Sequence, residues 1–125
     1  MVGRPTVLVV DDDEAVTKTF ERTLIVGGFL VFTALNAQEA LGHLDAHRPD
    51  AVILDVRMPL VNGLGLLYRM RALETFQHLP VLVVTGGSLS TETLTELAAL
   101  NATVRYKPIP AYELLAETRR LLNAG

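Results

Sequence analysis

The sequence predicts one α/β domain in which five strands and five helices alternate, the strands parallel in a single sheet with helices on both faces. Three observations carry that reading. Residues 7–10, 51–54 and 81–84 are unbroken apolar runs, as expected of strands buried on both faces. Between the runs lie segments whose apolar residues recur every three or four positions. Each run also ends in a polar residue: carboxylates at Asp11-Asp12-Asp13 and Asp55 and a hydroxyl at Thr85, while a weaker run through Val104 and Tyr106 ends in the ammonium of Lys107.

The first strand is predicted over residues 6–10, continuous and β-branched. From Glu14 the pattern turns helical, with Val16, Phe20 and Leu24 on one face until Gly27-Gly28 stops it. Residues 29–34 read as a strand. Residues 37–47 read as a helix with Ala40, Leu41 and Leu44 inward, broken by Pro49-Asp50. Residues 51–55 form a third buried strand, followed by a loop from Arg57 to Gly63 punctuated by Pro59 and Gly63. Leu64, Leu67 and Met70 or Arg71 mark a third helix reaching about Leu73. Pro80 opens a fourth strand that closes at Thr85-Gly86-Gly87. Ser90 fits the N-cap of a fourth helix, with Glu92 favourably placed in its first turn. A short fifth strand over residues 103–106 leads through Lys107-Pro108 to a last helix, Tyr112 to about Leu122, carrying Leu114, Leu115, Thr118, Leu121 and Leu122.

Composition sets the remaining bounds. At 125 residues, 50% hydrophobic and 20% charged, the chain suits one folded domain, residues 1–125, with no linker, low-complexity tract or second module. No stretch approaches the roughly 18 uninterrupted apolar residues of a membrane span, and no secretory pattern opens the chain, so a cytoplasmic protein with no membrane association is expected. Zero cysteines exclude disulfides, thiolate metal sites and a cysteine nucleophile. A net charge of −3 with scattered arginines gives no basic face for nucleic acid.

Parallel strands bring their carboxyl ends to a common edge, where carboxylates, a hydroxyl and an ammonium would converge. That donor set suits a divalent cation and a phosphoryl group. Hard cations such as Mg²⁺ take carboxylate oxygens and keep several waters, so Asp11, Asp12 and Asp55 would suffice if the first and third strands are neighbours. Asp13 and Glu14 read rather as the N-cap and acidic first turn of the first helix. A carboxylate at Asp55, just past a buried strand, could accept a phosphoryl group once a cation and fixed donors neutralise the charge. Thr85 could donate to a phosphoryl oxygen, with Gly86 and Gly87 leaving room. Lys107, one of two lysines in the chain, is given a fixed direction by Pro108.

These residues resemble those of the response-regulator receiver domains of two-component signalling over essentially the whole chain. The matching pieces are Val9-Val10-Asp11-Asp12-Asp13, Leu54-Asp55-Val56-Arg57-Met58-Pro59 with Gly63, Val84-Thr85-Gly86 and Lys107-Pro108. The resemblance implies a flavodoxin-like, doubly wound (βα)5 sandwich of three layers with strand order 2-1-3-4-5. It implies that Asp55 accepts a phosphoryl group from a phosphohistidine of a sensor kinase or phosphotransfer protein, and that Thr85 and Lys107 hold the phosphoryl oxygens. It further implies Mg²⁺ bound by Asp12, by Asp11 through water, by Asp55 and by the Arg57 carbonyl, and a cis Lys107-Pro108 bond. The partner surface it implies, shared with a homodimer, is the fourth helix, fifth strand and fifth helix. A receiver is a self-modifying phosphoacceptor with slow autodephosphorylation rather than an enzyme acting on a separate substrate.

Two departures from the family pattern stand out. Receivers carry Tyr or Phe three residues before the lysine, where Val104 stands here; Tyr106 is expected to compensate only if the strand is bulged. The connection from Leu100 to Thr103 is one residue short, with Asn101 where glycine is common, a residue that tolerates the left-handed conformation. Two other functions follow from the same residues. One is a phosphorylation-insensitive interaction module, motivated by Val104. The other is an aspartate-nucleophile phosphohydrolase, disfavoured by Glu14-Ala15 after the aspartates and by the lack of a cap insertion. Arg57 and Gly87, two residues past Asp55 and Thr85, are expected to tune phosphoryl lifetime.

Overall fold

The computed structural model describes residues 3–57 and 63–124. Met58 and Pro59, with the rest of residues 58–62 in the predicted loop, lie outside the described residues. Eleven segments follow in order: β1 Thr6–Val10, α1 Glu14–Val26, β2 Leu30–Ala34, α2 Ala37–His47, β3 Ala51–Leu54, α3 Gly63–Ala72, a 3₁₀ turn Glu74–Phe76, β4 Val81–Thr85, α4 Thr91–Ala99, β5 Ala102–Tyr106 and α5 Ala111–Ala124. The five strands form one parallel sheet in the order β2-β1-β3-β4-β5. The expected α/β architecture and strand order are both present.

The unbroken apolar runs explain the layering. Successive strand residues face opposite ways, and Leu8, Val10, Val52, Leu54, Val81 and Val83 enter one core layer with Ala40 and Leu44 of α2, Leu67 and Met70 of α3 and Leu97 of α4. Val7, Val9, Ile53, Leu82 and Val84 enter the other with Phe20 and Leu24 of α1 and Leu114 of α5. Each fully buried leucine contributes about 1.5–3 kcal/mol relative to an exposed one. A one-residue slip of any central strand would exchange the two layers, so register is strongly fixed.

Helix ends account for where elements begin. Asp13 caps α1, its carboxylate accepting from the amides of Ala15 at 2.9 Å and Val16 at 3.3 Å. Ser90 caps α4 by accepting from the Thr93 amide at 3.1 Å. Asn36 caps α2, and Glu39 returns a bond from the Leu35 amide at 2.8 Å, a reciprocal pairing of the capping-box kind. β2 starts one residue later than expected. Gly28, at φ +99°, closes α1 with the amides of Gly28 and Phe29 donating to the carbonyls of Ile25 and Leu24. Phe29 therefore belongs to the helix stop, buried against Leu24, rather than to the strand. Asn101 takes the left-handed conformation at φ 57°, as its place after α4 suggested.

The register aligns the carboxyl ends. Val10 pairs with Leu54, Leu54 with Val83 and Thr85 with Tyr106. Asp11, Asp55, Thr85 and Lys107 consequently emerge at one edge of the sheet.

Candidate functional site

Four of the expected residues meet at that edge. Asp55 follows β3 with its amide donating to the Val10 carbonyl, and it is 6% exposed. Its Oδ1 accepts from the Thr85 hydroxyl and from the Arg57 amide, each at 2.8 Å. Its Oδ2 accepts from Lys107 Nζ at 2.9 Å, and the same ammonium reaches Asp11 Oδ2 at 2.7 Å. The Asp13 amide donates to the other Asp11 oxygen at 2.9 Å. The Lys107 amide pairs with the Thr85 carbonyl, which brings the lysine to this edge; the Lys107-Pro108 bond is cis, as the resemblance implied.

The electrostatics of this crevice are uneven. Burial raises the proton affinity of Asp55, but donors from the Arg57 amide, Lys107 and Thr85 outweigh it and hold the carboxyl below its usual value. For Asp11 burial prevails over the Lys107 and Asp13 donors and pushes the carboxyl up. Lys107 is pushed up in turn: burial works against its charge, and the two carboxylates overcome it. The Lys107–Asp11 contact thus looks favourable from the ammonium and costly from the carboxylate. The Asp11 view decides the balance of the crevice, because one ammonium shared by two carboxylates leaves a net charge of −1 (two minus one) among buried groups.

Not every expected ligand joins. Asp12 is exposed, and its side chain takes no part in the hydrogen bonding among the described residues. No group of three or more His, Cys, Asp or Glu side chains among those residues is arranged to hold a metal ion. The demand of Mg²⁺ is smaller, one or two carboxylates with water filling the rest, and an uncompensated negative charge between Asp11 and Asp55 fits it. The Arg57 guanidinium turns away from Asp55 and donates to the Ser88 carbonyl, lying 3.2 Å from where a Cβ on Gly87 would stand. Arg57 thereby spans the β3–α3 and β4–α4 connections.

Gly63 is a site residue whose physical role sequence reasoning missed. A Cβ there would lie 2.4 Å from the Asp55 carbonyl oxygen and 2.7 Å from Val56 Cα, so only glycine lets α3 begin against the Asp55 backbone. At the edge of the sheet, β5 pairs with β4 in continuous register from Ala102 to Tyr106, without a bulge. The bulge expected as a condition for Tyr106 is unnecessary, because Val104 and Tyr106 are two residues apart and share a face of the strand. Val104 packs in the core layer that holds Leu97, whereas Tyr106 is 43% exposed and lines a cleft of about 410 Å³ with Gly87, Ser88 and Lys107.

A doubly wound sheet with a carboxylate, hydroxyl and ammonium at its carboxyl edge defines the class of protein. The sequence model of the response regulator receiver domain matches residues 7–119, and the chain belongs to that family. Among curated relatives, the transcriptional regulatory protein PrrA of Mycobacterium tuberculosis is 37% identical over 122 residues, covering 98% of this chain and 52% of the relative. The response regulator MprA of Mycolicibacterium vanbaalenii is 40% identical over 117 residues, covering 94% and 50%. The chain thus spans about half the length of these relatives. Among solved structures, the chemotaxis protein CheY4 of Vibrio cholerae superposes with a TM-score of 0.88 at 30% identity, covering 96% of this chain and all of that one. The receiver domain of NtrX from Brucella abortus gives 0.86 at 27% identity over 95% and 99%. This protein is a receiver domain of the response-regulator type, consistent with two-component signalling. No helix among its described residues is long and apolar enough to cross a membrane.

Proposed function

We propose that Asp55 is the phosphoacceptor of a single receiver domain, residues 1–125, taking its phosphoryl group from a phosphohistidine of a sensor kinase or phosphotransfer protein in the cytoplasm. In the transfer an Asp55 oxygen forms a bond to phosphorus while the bond from phosphorus to the histidine nitrogen breaks, and the imidazole leaves with the electron pair. The single observation that carries this reading is the shared ammonium. Lys107 bonds both Asp11 and Asp55, so a counter-charge for the incoming group already stands at the acceptor.

The roles of the chain's own groups follow from their positions. Thr85 and the Arg57 amide hold one Asp55 oxygen, fixing the carboxylate plane. On phosphorylation of Asp55, the Thr85 hydroxyl and Lys107 have phosphoryl oxygens as alternative acceptors, and charge-assisted bonds to those oxygens are the stronger choice. Asp11, Asp12, Asp55 and the Arg57 carbonyl would hold Mg²⁺, which supplies charge neutralisation of acceptor and phosphoryl group together. Inward movement of Thr85 would then reach the β4–α4 connection and change the surface of α4, β5 and α5, the partner and homodimer surface in this reading. Arg57 and Gly87, two residues past Asp55 and Thr85, would flank the approach of an attacking water in this reading and tune the lifetime of the acyl phosphate. The domain acts on itself, with slow autodephosphorylation and no separate substrate.

Incubation with a small phosphodonor and Mg²⁺ tests this reading. The expected product is one base-labile phosphoryl group per chain, mapped to Asp55 and absent in Asp55→Asn. Labelling that persists in Asp55→Asn refutes the assignment. Val104 in place of an aromatic ring favours a second reading, a receiver that retains the crevice but binds its partner irrespective of phosphorylation. Unchanged partner affinity on adding beryllofluoride, with Asp55 labelling intact, would select it.

A further inference from the structure

The α2 side of the domain holds a cluster of rings that the crevice chemistry does not use. His43 and His47 lie four residues apart on α2, and Phe32 of neighbouring β2 packs against both. The Phe32 and His47 rings stack at 3.8 Å between centroids with planes 7° apart. Phe32 meets His43 at 5.4 Å and 33°, and the two imidazoles are 5.5 Å apart with planes at 28°. Stacking occupies the ring faces and leaves the nitrogens, on the ring edges, unengaged. Neither imidazole forms a hydrogen bond or ion pair with another described residue. His43 is half-buried and His47 exposed, so both edges are open to solvent.

We propose that His43 and His47 form a two-nitrogen site for a borderline divalent metal ion of the Cu²⁺, Ni²⁺ and Zn²⁺ class, with Phe32 as the platform that orients the rings. Two histidines one helical turn apart present their nitrogens on one helix face. Metal–nitrogen bonds of about 2.0–2.1 Å place the centroids of two imidazoles on one ion roughly 5 Å apart. The observed 5.5 Å is close to that, so the two rings already stand at about the separation one ion requires. Holding the rings before the ion arrives lowers the ordering cost of binding. No third His, Cys, Asp or Glu joins them among the described residues, so water completes the coordination and the affinity order follows the intrinsic preference of imidazole, Cu²⁺ above Ni²⁺ and Zn²⁺. Mg²⁺ prefers oxygen ligands and does not compete. The site is independent of phosphoryl transfer at Asp55.

Metal-stripped full chain is titrated with Ni²⁺ in excess Mg²⁺, which occupies the carboxylates of the crevice, and followed by calorimetry and by the histidine ring signals in proton NMR. The third histidine, His78, serves as an internal control. The expected result is selective paramagnetic broadening of His43 and His47 together at substoichiometric Ni²⁺. Affinity should fall roughly tenfold or more in His43→Gln and in His47→Gln, since each leaves a single nitrogen. Because His47 is exposed, His47→Gln keeps the test valid even if another variant folds poorly. Equal broadening of His78, or wild-type affinity in His47→Gln, overturns the site. Wild-type affinity in a folded Phe32→Leu overturns the platform.

Discussion

The crevice around Asp55 and the neighbouring β5–α4 edge are built to different standards. In the crevice, all four oxygens of Asp11 and Asp55 accept hydrogen bonds, from donors at Asp13, Arg57, Thr85 and Lys107 on four separate stretches of chain. At the edge, Val104 fills a core position and the nearest aromatic ring, Tyr106, stands 43% exposed without a hydrogen bond among the described residues. Outside the core, α4 is tied to α3 by Tyr68 donating to Glu96 at 2.6 Å and by Arg71 donating to the Leu100 carbonyl at 2.8 Å. The contrast teaches that a carboxylate pair bonded at every oxygen can sit beside a lightly bonded surface, the one that would move in the proposed reading. Elements that must move are drawn from the less stable part of a fold.

The largest expected break in the rigid half is Gly63→Ala. The added methyl meets backbone atoms of Asp55 and Val56 at 2.4 and 2.7 Å, and backbone cannot rotate aside as a side chain does. Overpacking of this kind costs about 1–3 kcal/mol, and urea unfolding should show it as a lower midpoint with unchanged slope. The displaced Asp55 should also label more slowly with a phosphodonor. Wild-type stability and labelling together would mean that α3 can start elsewhere without disturbing the crevice.

How much of this could be read from the chain depends on the range of the interaction. Asp11, Asp55, Thr85 and Lys107 were legible because each terminates an apolar run, and parallel pairing alone brings such ends together. The constraint on Gly63 was not, because it comes from a carbonyl eight residues earlier that only the fold brings near. The exposure of Asp12 depends on how the Asp triplet divides its labour. Asp13 caps α1, as the sequence indicated, whereas spacing alone does not tell that Asp11 rather than Asp12 turns inward to Lys107. The direction of the Arg57 guanidinium and the ring stack of Phe32 on α2 likewise arise between elements. β2 began late because Gly27 and Gly28 stop the helix in a way that consumes Phe29.

A second measurement separates the two carboxylates within the crevice. The Asp55 carboxyl is lowered in the fold, so its contribution to stability is present above its ordinary value of 3.8 and is lost as pH falls through the lower folded value. The Asp11 carboxyl is raised, so its charge costs stability at neutral pH, and that cost disappears as pH falls through the raised value toward 3.8. In metal-free buffer, Asp11→Asn should therefore be more stable than wild type at pH 7, and the gain should shrink to nothing as wild-type Asp11 protonates. Asp55→Asn should flatten the wild-type loss of stability below pH 3.8. Thermal unfolding between pH 7 and pH 3 reads both. An Asp11→Asn chain less stable than wild type at pH 7 would show that the Lys107 contact outweighs burial.

The smallest effect on stability, and the sharpest test of the readout half, belongs to Tyr106→Ala. An exposed ring without hydrogen-bond partners contributes within about 0.5 kcal/mol, so the midpoint of unfolding should barely move. Its place is what matters. Tyr106 pairs in register with Thr85 and lines the cleft with Gly87 and Ser88, the stretch that Arg57 holds and that leads into the Ser90 cap of α4. If Thr85 moves toward a phosphoryl group, Tyr106 is the ring positioned to follow, on the same face of β5 that Val104 fills two residues earlier. Beryllofluoride should shift the backbone amide signals of Gly87, Ser88 and Ser90 in the wild type, and Tyr106→Ala should diminish those shifts while leaving Asp55 labelling unchanged. Full-sized shifts in Tyr106→Ala would show that Thr85 and the Arg57–Ser88 contact carry the change to α4 without the ring.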